Sequence, residues 1–169
     1  MEYKVIKSGR KTVSLEISRD AEVIVRAPYG TKDKFIEEFV NSHKPWIEKH
    51  LNGRLEKAEM FKYAEENSKA LKKAAKEYIF KRAEEFAEIM NVKYSGIKIT
   101  SAKTRFGSCS GKNSLCFSYI LMLYPQEAID YVIVHELAHT VEHNHSKRFY
   151  KIIEKYLSDY KQRERMLKK

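Results

Sequence analysis

Long hydrophobic runs are missing from this 169-residue chain. No apolar stretch approaches the roughly 20 residues that a helix needs to cross a bilayer. The N-terminal "MEYKVIKSGRKTVSLEIS" alternates apolar with charged residues, a pattern no signal peptide shows, so a cytoplasmic location is expected. Cysteine is scarce. Cys109 and Cys116 are too few for a disulfide framework, and their separation is not that of close zinc-binding pairs, so both read as reduced thiols. With 3 prolines and 6 glycines there is no linker, low-complexity tract or internal repeat, and a single domain over 1–169 is expected.

What the chain does have is a core and a charge. Hydrophobic residues make up 43% and aromatics 12%, enough at this length to bury a substantial interior. The formal net charge is +10, and residues 146–169 carry nine basic side chains against three acidic ones. Such an excess favours acidic partners, DNA among them, and also describes a solvated helix face with a basic tail.

Residues 3–7, 12–18 and 22–27 read as three short strands, with Val5, Val13, Leu15, Ile17, Val23 and Val25 alternating and turns at "SGR" and "SRDA". An antiparallel meander over 1–30 follows. Helical character takes over across 31–95. Phe35, Phe39 and Val40 mark the first helix, Pro45 breaks it, and Trp46 is read as core. Residues 54–66 are charged and helical, and Ser68 is placed to cap a helix bearing Leu71, Ala75, Tyr78, Ile79, Ala83, Phe86 and Met90, ended near Asn91. Then "GIKITSAKTRFGSCS" and "SLCFSYILML" suggest two strands joined by a turn at Gly111 and Asn113.

The stretch "VIVHELAHTVEHNHSKRF", residues 132–149, holds four histidines and two glutamates. Helical periodicity over 126–142, begun near Pro125, puts His135 and His139 one turn apart on one face, the separation two imidazoles need to share a zinc ion. Glu136 is rotated by about 100° from His135, poorly placed as a ligand and well placed as a general base beside a zinc-activated water. A third ligand must leave this helix, because His143 on a continuous helix would lie about 12 Å along the axis from His135. In "HNHS", Asn144 can take a helix-ending left-handed conformation and Ser146 can cap a new helix, striped by Phe149, Ile152, Ile153, Tyr156, Leu157 and Tyr160. His145, at that junction, is the expected third ligand.

The chain resembles the YgjP-like metallopeptidases, relatives of the SprT-type zinc proteases, in "RFGSCS" (105–110), "YPQEAIDYVIVHELAH" (124–139) and "HNHSKRF" (143–149), and more weakly in "VRAPYG" and "PWI". The resemblance implies an α+β fold in which a zincin-like active-site helix packs against a small antiparallel sheet with flanking helices. It implies a zinc peptidase with His135, His139 and His145 as ligands and Glu136 as base. It also implies that an edge strand, "SLCFSYI" or "RFGSCS", pairs with an extended peptide substrate. Phe106 replaces the family's usual tryptophan, Phe117 and Ser118 stand where an asparagine and an aromatic are common, and the region from Trp46 to Ser95 is shorter and more helical.

Arg105, Tyr119 and Tyr150 are candidate oxyanion donors, and Glu142 or Glu154 could orient a ligand imidazole. Glu142 would also be the fourth ligand of a closed, structural site. Beside the peptidase stand two other readings: a DNA-associated protein, or a protease recruited to DNA, using its basic surface, and a catalytically silent zinc-binding interaction module. Glu136 argues against the last, since a structural zinc has no need of it.

Overall fold

A computed structural model describes residues 1–18 and 21–168. The turn expected at "SRDA" includes Arg19 and Asp20, which lie outside the described residues. By backbone contacts the chain divides into two compact units, Met1–Met60 and Phe61–Lys169. No described helix is long and apolar enough to cross a membrane. The architecture is α+β, as expected, with six helices and two three-stranded sheets among the described residues, and both sheets are mixed where an antiparallel one was expected.

In the first unit, strands β1 (Lys4–Ser8), β2 (Ser14–Ile17) and β3 (Val23–Pro28) form a sheet of order β1-β3-β2. The expected meander gives way to a mixed sheet, because β1 runs parallel to β3 while β2 runs antiparallel to it. The alternation explains who takes the centre. Val23, Val25 and Ala27 of β3 are buried, so this strand gains most from neighbours on both sides. They pack with Ile36 and Val40 of α1 (Asp33–Ser42) and Ile47 of α2 (Lys44–Glu66). Of the expected stripe Val40 is buried, but Ile36 takes the inward place expected of Phe35. Phe35 and Trp46 are exposed, at 52% and 41%, and Trp46 stacks on His50 instead of entering the core. Pro45 does mark a restart: α1 ends at Ser42 and Pro45 lies in the first turn of α2, where its missing N–H costs nothing.

In the second unit, α3 (Ser68–Met90) buries Ala75, Ile79, Ala83, Phe86 and Met90 along one side. Ser68 is the first helical residue and not its cap. Asn91 ends the helix with φ 52°, the left-handed conformation that asparagine tolerates. Strands β4 (Gly96–Thr100), β5 (Gly107–Cys109) and β6 (Ser114–Ser118) follow, in order β4-β6-β5. "GIKITSAKTRFGSCS" is therefore two strands, one on each side of β6, and "YILML" is a short 3₁₀ turn (Tyr119–Leu123). The β5–β6 turn places Asn113 at φ 58°.

Helix α4 (Gln126–Ala138) is buried around most of its circumference, Ala128 through Val134 included. Helices α5 (Lys147–Tyr156) and α6 (Tyr160–Met166) complete the unit. Burial brings one carboxylate with it: Asp130, 9% exposed, is gripped by Arg82 of α3 through Nε–Oδ1 at 3.0 Å and Nη2–Oδ2 at 2.6 Å. Two parallel charge-assisted bonds fix the rotation of α4 as well as its position. Arg82→Ala, which leaves that carboxylate without its cation, is expected to lower the unfolding free energy by about 3 kcal/mol in urea denaturation. A loss under about 0.5 kcal/mol would class the pair with ordinary surface ion pairs.

Candidate metal centre

Helix α4 carries His135 and Glu136 in its last turn and His139 at its C-cap position. The helix stops at Ala138, four residues before the expected end at 142. Thr140 Oγ1 and the Thr140 N–H both donate to the Leu137 carbonyl, at 2.7 and 3.0 Å, and turn the chain there. Asn144 is not left-handed; among the described non-glycine residues only Ala21, Asn91 and Asn113 have positive φ. Ser146 caps α5 as expected, its side chain accepting from the Phe149 N–H at 3.3 Å. That cap directs His145 back toward the end of α4.

The reversal gathers His135, His139 and His145, each offering one nitrogen, with those atoms within 4.8 Å of one another. His135 Nε2 and His145 Nε2 lie 3.1 Å apart. Two nitrogens at zinc–nitrogen distances of ~2.05 Å on a tetrahedron stand about 3.3 Å apart, so this spacing fits a shared ion. His143 is exposed and outside the cluster, and Glu142, half-buried, also lies outside it. Buried Phe149 lies under the three rings: it stacks on His139 at 4.4 Å and meets His135 and His145 edge-on, each at 4.9 Å.

Two of the nitrogens turned away from the cluster are partnered too. His139 Nδ1 lies 3.1 Å from the Glu142 carbonyl, which can only accept, so Nδ1 carries the proton and Nε2 keeps its lone pair. Glu142 thus orients a histidine through its backbone, while its carboxylate sits 4.0 Å from Arg148; Glu154 is exposed on α5. His135 Nδ1 faces the Tyr131 hydroxyl at 3.4 Å. Burial, with the neighbouring His139 and His145 adding to it, pushes His135 down to about 3, and burial also lowers His139. Both are neutral at pH 7, the form a metal requires.

Glu136 is 6% exposed, and burial raises its carboxyl to about 7 against the lowering pull of Arg105. Its placement depends on a glycine. A Cβ built on Gly107 would lie 2.6 Å from Glu136 Oε1 and 2.7 Å from its Cγ, so only glycine lets the carboxylate press against β5. A hollow of about 350 Å³ opens over this ground, with Arg105, His143 and Cys109 around the three imidazoles and Glu136. Of the other proposed oxyanion donors, Tyr119 is buried in the 3₁₀ turn under Lys72, and Tyr150 stacks on Tyr160 with its ring 6.3 Å from that of His145. Sequence reasoning missed Tyr131 and Gly107. The i−4 spacing of Tyr131 from His135 was a usable signal; the crowding at Gly107 exists only in the folded chain.

Strand β5 is a sheet edge and β6 is central, which leaves "RFGSCS" as the edge beside the site. The Ser118 N–H donates to the Phe106 carbonyl (2.8 Å) and the Ser110 N–H to the Ser114 carbonyl (2.9 Å). Even-numbered residues therefore bond inward to β6, and the backbone groups of Gly107 and Cys109 face the open edge.

A family model described as "YgjP-like, metallopeptidase domain" matches residues 11–70 and 55–169. No curated protein matches the chain. Among solved structures, the metallopeptidase zymogen of Pyrococcus abyssi abylysin is 21% identical with a TM-score of 0.49, covering 53% of this chain and 90% of that one. The zymogen of Methanocaldococcus jannaschii jannalysin is 26% identical with a TM-score of 0.46, covering 53% and 91%. By the match over nearly its whole length, the chain belongs to the YgjP-like metallopeptidase family.

Proposed function

We propose that this metallopeptidase is a zinc enzyme in which His135, His139 and His145 hold the ion and Glu136 is the general base. The observation that carries the reading is the convergence of three nitrogens within 4.8 Å beside a buried carboxylate. Neutral imidazoles suit zinc better than the hard cations that take oxygen ligands. A bound zinc ion supplies Lewis acidity, acidifying water and polarising a peptide carbonyl.

The chain's own groups do the rest. Glu136, desolvated and unable to retreat past Gly107, takes the proton of the attacking water and returns it to the leaving amine. Arg105, on the rim of the same hollow, faces the developing negative charge on the carbonyl oxygen. An extended peptide adds to the β5 edge through the outward backbone groups of Gly107 and Cys109, which sets the scissile carbonyl across from Glu136. Phe149 keeps water from the underside of the imidazoles.

With denatured casein as substrate, Glu136→Gln is expected to cut activity about a thousandfold with zinc content unchanged. Cleavage at wild-type rate by that variant would sink the mechanism. Gly107→Ala, by displacing the carboxylate without touching an imidazole, should lower kcat/KM about a hundredfold and again leave zinc bound. Loss of zinc in Gly107→Ala would mean the glycine shapes the histidine cluster instead.

A further inference from the structure

A second hollow, of about 290 Å³, shares Gly107, His135 and Glu136 with the first and none of its other lining residues. Three separate parts of the chain build it. Phe106 precedes β5, Tyr131 and Val132 lie one turn before His135 on α4, and Leu167 follows α6. Of its lining residues Glu164 and Lys168 are paired with each other, Oε1 to Nζ at 2.8 Å. Leu167 is held in place by its helix. Arg163 bonds Asp159 at 2.8 Å and donates to the Glu127 carbonyl at 3.4 Å, which ties α6 to the start of α4, and Tyr160 stacks on Tyr150.

The direction of Gly107 says what enters. A side chain there would point at Glu136, toward α4. A peptide lying along β5 presents alternate side chains to that same face, and the space it meets is walled by Val132, Tyr131 and Leu167. We infer that this second hollow is the specificity pocket of the peptidase site. It takes a large apolar side chain (leucine, methionine, phenylalanine or tyrosine) from the residue next to the bond being cut, and Leu167 sets its depth. The inference rests on the peptidase reading above and adds to it the substrate class and a residue that selects it.

The test has two arms. In the first, zinc-loaded protein cleaves a random-sequence peptide library and the cut positions are read by mass spectrometry. Wild type should enrich large apolar residues at one position flanking the cut. Leu167→Trp should lower kcat/KM for those sequences about ten- to hundredfold and move the preference to glycine and alanine. Leu167→Ala should admit still larger side chains. In the second arm, the Glu136→Gln protein is titrated by NMR with N-acetyl-phenylalaninamide and with N-acetyl-glycinamide. The phenylalanine compound alone should shift the Val132 and Leu167 amides, and adding Leu167→Trp should abolish the response. Cleavage with no apolar preference and silent amides would overturn the pocket while the peptidase reading stood. No cleavage but a phenylalanine-specific response would overturn the peptidase reading and support the pocket.

Discussion

Helix α4 is buried on nearly every side yet ends in polar side chains, and the rest of the second unit is arranged to satisfy them. From Ala128 to Val134, α4 is apolar except for Asp130 and the Tyr131 hydroxyl; then come His135, Glu136 and His139. Unpaired polar groups at such depth cost several kcal/mol each. Arg82 meets Asp130, the Glu142 carbonyl meets His139, Tyr131 faces His135, and Gly107 leaves room for Glu136. What these contacts leave over is one nitrogen of His135 and one of His139, which meet a nitrogen of His145 within 4.8 Å. That surplus of lone pairs is the chemical content of the site.

The reversal after α4 is the second requirement. A continuing helix would carry the next histidine out of reach, so the chain has to stop, turn and start again within eight residues, Thr140 through Lys147. Thr140 closes the old helix and Ser146 opens the new one. Phe149, one turn into α5, then fills the space beneath all three rings. Burial of this one aromatic links the folding of α5 to the shape of the cluster, so packing and binding geometry are set by the same residue. The raised carboxyl of Glu136 and the lowered imidazole of His135 have the same origin, since both are charged forms disfavoured by that dry interior.

Much of this was legible in the residues. The α4 helix, the His145 junction and the Ser146 cap follow from spacing, because each is set by contacts local in sequence, while the α+β class followed from the family resemblance. Choices that depend on distant neighbours were not. Phe35 and Ile36, or Trp46 and Ile47, offer adjacent apolar stripes, and only the β3 face decides which turns inward. Whether β1 joins its sequence neighbour or pairs parallel with β3 is settled by the whole sheet. The Thr140 turn shortens α4 through a hydroxyl-to-carbonyl bond that helical periodicity does not register. The need for glycine at 107 comes from a glutamate 29 residues away pressing on it.

In the proposed site His135, His139 and His145 together hold one metal ion. Elemental analysis of protein purified without chelator, for wild type, His143→Ala and His145→Ala, tests it most directly. One zinc per chain in wild type and in His143→Ala, with zinc lost or sharply reduced in His145→Ala, is the predicted result. Wild-type protein that stays free of metal after zinc is added back, or His145→Ala that binds it undiminished, would rule out this three-histidine site.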